Sequence, residues 1–68
     1  MTEIRTIRND FGELEVSASD GRHSGRLRLE KDRVHLRGDF SRNPVSAAVV
    51  PLLIAALGAL AAENGDTE

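Results

Sequence analysis

Six side chains able to grip an anion crowd the middle of this chain: Arg22, Arg26, Arg28, Arg33, His35 and Arg37. Guanidinium groups pair bidentately with phosphate and carboxylate, so the cluster is a candidate face for an anionic ligand or partner. Glu13, Glu15 and Glu30 fall on the same side of the strands proposed below and offset much of that charge. Charged strand faces are commonly solvated and laced with ion pairs worth about 0–1 kcal/mol.

Catalytic chemistry finds less support. Ser24 follows His23 directly, and adjacent residues of an extended chain do not converge as nucleophile and base. The segment DGRHSG has two glycines and does not open a helix, so it is no phosphate loop. There is no cysteine, and His23 and His35 lack the spacing of a metal pair. No catalytic, cofactor-binding or metal-ligating residue is assigned, and the chain is expected not to be an enzyme.

Binding of unpaired bases relies on aromatic platforms. The chain has two Phe, no Tyr, no Trp and a net charge of −2, which disfavours nucleic acid as a partner. Phe11 and Phe40 stand at strand ends, where they suit sealing a core rim as well as stacking.

The elements that carry these residues are legible from periodicity. In RLRLEKDRVHLR, Leu27 and Leu29 alternate with Arg26, Arg28 and Glu30, and Val34 and Leu36 with Arg33, His35 and Arg37. A two-residue turn at Lys31-Asp32 sets Leu29 opposite Val34, Leu27 opposite Leu36, Arg28 opposite His35 and Glu30 opposite Arg33. Upstream, Leu14, Val16 and Ala18 alternate with Glu13, Glu15, Ser17 and Ser19. A loop of Asp20 to His23 then places Val16 against Leu27 and Glu15 against Arg28. TEIRTIR is a poorer strand, because Ile4 and Ile7 cannot both face one core without a bulge. Asn9 to Gly12 suits a tight reversal, with Gly12 at positive φ. Strands are expected at about 2–8, 13–19, 25–30 and 33–38.

Residues 44–62 read as one helix, capped by Ser41 or Asn43 with Pro44 in the first turn. Pro51 is expected to bend it. Val45 to Ala62 holds no charge and spans roughly 27 Å at 1.5 Å per residue, marginal for a bilayer. Side-chain size divides it. Val45, Val49, Val50, Leu53, Leu57 and Leu60 gather on one side, with Leu52 and Ile54 at its borders. Ala47, Ala48, Pro51, Ala55, Gly58, Ala59 and Ala62 occupy the other. The bulky side is expected to cover the sheet, whose apolar face needs a lid. The small side, with Ala55/Ala59 and Gly58/Ala62 at small-xxx-small spacing, is the expected interface with another copy.

The whole reads as an α+β protein: a four-stranded antiparallel meander followed by one C-terminal helix packed on its apolar face (ββββα), in one domain of residues 1–62. A flexible acidic tail is expected at 63–68. Sixty-eight residues without cysteine form a small core, and self-association is the remaining staple. MTEIRTIRND has no apolar run of the signal-peptide kind, so a cytoplasmic location is expected. The expected role is a small non-enzymatic interaction or accessory protein. It would homo-oligomerise through its Ala-rich helix, need no cofactor, and bind a protein or anionic partner. The competing readings are a membrane-anchored protein spanning with 45–62 and a dimeric single-stranded nucleic-acid binder.

Overall fold

Alternating apolar residues and short turns fold the first half of the chain into an antiparallel meander. A computed structural model describes residues 1–65. The strands are β1 (Glu3–Arg8), β2 (Leu14–Ser19), β3 (Ser24–Glu30) and β4 (Arg33–Gly38), side by side in the order β1-β2-β3-β4. A helix, α1 (Val50–Gly65), follows. The α+β architecture read from the sequence is the one observed.

The register follows the hydrophobic pattern. Leu29 pairs with Val34, Leu27 with Leu36 and Arg28 with His35. Val16 pairs with Leu27 and Glu15 with Arg28. A slip of one residue would turn Val16 and Leu27, both fully buried, out to water. The turns have the expected chemistry: Gly12 takes φ 79° and Gly21 takes φ 91°, in the region that glycine enters without penalty. Lys31, at the tip of the β3–β4 hairpin, takes φ 58° despite its Cβ.

β1 resolves its conflicting isoleucines without a shared face. Ile4 lies opposite Ala18 on the core side, whereas Ile7 lies opposite Glu15 on the outer side and is 53% exposed. The two phenylalanines also divide. Phe40 is buried in a short 3-10 turn, Asp39–Ser41, while Phe11 stands out in solvent.

The helix begins later than the sequence suggests, at Val50 rather than Pro44, behind a 3-10 turn over Ala47–Val49. Ser46 caps that turn by accepting the Ala48 amide at 3.3 Å, so neither Ser41 nor Asn43 is the cap. Ser41 instead donates its hydroxyl to the Gly38 carbonyl. Pro51 therefore stands in the first turn of α1, where a missing N–H is tolerated. The Ala47 carbonyl, which residue 51 would otherwise engage, accepts the Val50 amide. At the other end α1 runs through Glu63 and Asn64 to Gly65, so the expected tail starts inside the helix. Its remainder, 66–68, lies outside the described residues.

The core joins Leu14, Val16, Ala18 and Leu27 of the sheet to Phe40, Val49, Leu52, Ala56 and Leu60. Val45, Leu53 and Ala59 border it, partly buried. The helix is thus rotated from the orientation its bulky residues suggest. Leu52 and Ala56 point inward, and Val50 and Leu57 remain about two-fifths exposed. Close packing explains the rotation: Ala56, fully buried, lets the helix approach a sheet face already filled by leucine, valine and the Phe40 ring.

Candidate functional site

Two surfaces carry the features singled out in the sequence, one on each side of the sheet. On the outer side, cross-strand pairing sets Arg26 directly opposite Arg37 and Arg28 opposite His35. A shallow groove of about 450 Å³ runs there, lined by Arg26, Arg28 and Arg37 with Ser17, Ser24 and Glu15. Like charges directly opposite each other destabilise a strand pair, so the Arg26–Arg37 pairing favours a counter-anion between them. Glu15 supplies part of one, at 3.9 Å from Arg26. The Arg28 Nε is shut off from solvent and has no hydrogen-bond partner among the described residues.

The other members of the cluster are dispersed. Arg33 lies at the opposite end of the hairpin, beside Glu30, in a separate cleft with Arg8 and Gly12. His35 reaches Glu30 at 3.6 Å. Arg22 lies in the β2–β3 loop, where its backbone amide is held by Asp20.

Acidic residues in the loops serve as backbone anchors. Asp20 accepts the His23 amide at 2.7 Å and the Arg22 amide at 2.9 Å, and these two bonds hold its carboxyl below the usual aspartate range. Asp39 accepts the Ser24 amide at 3.0 Å and the Arg42 side chain at 3.2 Å, which lower its pKa in that order. The Glu13 carboxyl is held below the usual glutamate range chiefly by the hydrogen bond that the Asn9 side chain donates to it at 2.8 Å.

The fold brings His23, Ser24 and Asp39 together, with His23 Nδ1 at 3.5 Å from Asp39 Oδ2. It is the Ser24 backbone, however, that meets Asp39, and the carboxylate ties β3 to the 3-10 turn. No group of three or more His, Asp or Glu among the described residues is placed to hold a metal ion.

On the inner side, the helix leaves a broad apolar surface. Ala47–Gly65, 19 residues, is long and apolar enough to cross a bilayer, and only 22% of that stretch is buried. Of the small residues, Ala47, Ala48, Pro51, Ala55, Gly58 and Ala62 are exposed, while Ala59 is half-buried against the core. Beside them lie Val50, Ile54 and Leu57, also exposed.

Val34 and Leu36 of β4 are 42% and 41% exposed, although their register puts them on the same side as fully buried Leu27. Pattern alone assigned them to the core. α1 lies chiefly on β2, with lesser contact to β3 and β1, and this footprint decides their exposure.

No protein-family model, no curated protein and no solved structure matches the chain.

Proposed function

We propose that this chain is a small non-enzymatic interaction protein that assembles with copies of itself through α1. One observation carries the reading: no polar residue occurs from Ala47 to Ala62, yet most of that stretch faces away from its own sheet. Amphipathic helices of monomeric proteins place polar residues on such a side. Continuous apolar patches beyond a few hundred Å² mark a surface with a partner.

Solution mass tests it. By light scattering or sedimentation the protein should exceed the 7.4 kDa of one chain, and a mass of 7.4 kDa at high concentration would end the proposal. Recovery only in the membrane fraction would favour a lipid partner for the same surface. Replacing exposed Ala55 and Ala62 by Glu should shift the protein toward monomer.

A second role, binding an anionic group on the outer sheet groove, is favoured by the Arg26–Arg37 pairing and the unpartnered Arg28 Nε. Inorganic phosphate should shift the amide resonances of Ser17 and Ser24 in a saturable way. Arg28→Met should abolish that response, and a response indifferent to the substitution would refute the site.

A further inference from the structure

The apolar surface of α1 does not end at the helix; it continues onto β4. α1 follows the direction of β3: Val49, just before it, shares the buried core with Phe40, which sits against Gly25 at the start of β3, and Asn64 at its other end shares a cleft with Leu14, Glu30 and Arg33. A right-handed helix on this face of the sheet, running in that direction, turns Ala59 toward β1 and Leu57 and Val50 toward β4. Partial burial of both Ala59 and Ile4 agrees with that placement. Val34 and Leu36 therefore form one floor and Val50, Ile54 and Leu57 one wall of a single uncovered apolar groove.

Widths explain why one helix leaves it open. A helix is about 10 Å across, and strands lie about 4.8 Å apart, so a single helix covers roughly two strands of a four-stranded sheet. Two helices side by side at about 8–10 Å would cover all four.

We propose that two copies associate face to face about a twofold axis, α1 of each covering the β4 face that its own helix leaves bare. This rests on the self-association proposed above and names its geometry. Leu57 and Val50 of the two helices meet flank to flank, and Ile54 lies beneath Val34 and Leu36 of the partner subunit. The neighbouring Gly58 faces open space and presents no side chain to that strand.

The occupant is a second copy because the surface is self-complementary: a helix flank lacking a sheet and a sheet lacking a helix occur on one chain, which a twofold satisfies reciprocally. The area is sufficient. The five bulky side chains, with exposed Ala47, Pro51, Gly58 and Ala61 beside them, offer on the order of 600 Å² per protomer, the lower end of what a standard interface takes from each partner. Extension of the sheet through β4 is the poorer alternative. Antiparallel self-pairing centred on His35 would set Arg33 against Arg37, and like charges directly opposite oppose pairing.

Sedimentation equilibrium on the full chain, with Leu36→Lys, Leu36→Thr and Ala55→Glu variants, tests the geometry. The native chain should sediment at about twice 7.4 kDa. Leu36→Lys should raise the dimer dissociation constant at least tenfold, with the far-ultraviolet spectrum of the folded chain retained. Should it fail to fold, Leu36→Thr keeps strand preference and removes apolar contact, and it should weaken the dimer by a smaller factor. A native oligomer that Ala55→Glu dissociates and neither Leu36 variant weakens would overturn this geometry while leaving self-association through α1 intact. A chain that stays at 7.4 kDa, or floats with phosphatidylcholine vesicles as a monomer, would overturn both.

Discussion

The ring of Phe40 occupies the space that a side chain on Gly25 would fill. A Cβ built on Gly25 would lie 2.5 Å from Phe40 Cδ2 and 2.6 Å from Cγ, closer than atoms pack. Gly25 is thus the seat of the most deeply buried aromatic residue, which is only 1% exposed. The 3-10 turn after β4 swings Phe40 over β3 and closes the end of the core where α1 begins. Gly38 makes the turn possible at φ 68°, with its Cα too near the Ser24 carbonyl to carry a Cβ without strain.

Gly25→Ala should therefore destabilise the fold by about 1–3 kcal/mol, as overpacking of a filled core does. Phe40→Ala should be more damaging, about 3–5 kcal/mol. In a chain this small, that is comparable to its whole stability. Urea unfolding followed by circular dichroism measures both. A Gly25→Ala protein as stable as the native one would mean that the ring is free to move aside.

Pro51 gives the opposite expectation. A mid-helix proline costs about 3 kcal/mol, but the Ala47 carbonyl already accepts the Val50 amide. Pro51→Ala should leave stability within about 1 kcal/mol, because no broken hydrogen bond waits to be restored. Ser46→Ala removes the acceptor for the Ala48 amide and should destabilise by about 1 kcal/mol, as loss of an N-cap does. A large gain from Pro51→Ala, seen as a raised denaturation midpoint, would mean that the proline strains the helix.

Acid should loosen the loops in a defined order of causes. Asp20 and Asp39 both have folded pKa values below the 3.8 of the unconstrained side chain. Folding thus favours their ionised forms. The stabilisation is complete above the unfolded pKa and is lost as pH falls through the lower folded value. Stability should be flat in the neutral range and decline below about pH 4. Asp20→Asn keeps an acceptor for the His23 and Arg22 amides while removing the charge. Its stability should fall less steeply with acid than that of the native chain. Parallel acid titrations of the two proteins, monitored by circular dichroism, decide it, and superimposable curves would remove Asp20 from the account.

The strand register was legible because a period of two allows one solution when leucine and valine must all face one way. Leu27 opposite Leu36 and Val16 opposite Leu27 follow from that constraint alone, as does glycine at the Asn9–Gly12 reversal. The outer-face strand arginines followed too, since each alternates with an apolar residue. Which of them converge did not: the groove takes Arg26, Arg28 and Arg37 and leaves Arg33 at the far end of the hairpin. Distance along a strand separates side chains of one face.

By itself, then, the sequence determined the meander, its pairing and the existence of one apolar helix, because those rest on local period and turn chemistry. Tertiary structure decided the rest. It set the rotation of α1, which a buried Ala56 governs through close approach to the sheet. It placed Phe40 over Gly25, a contact between residues far apart in the chain. It also left Val34 and Leu36 bare: a residue's face is written in its own strand, but what covers that face depends on how far one helix reaches.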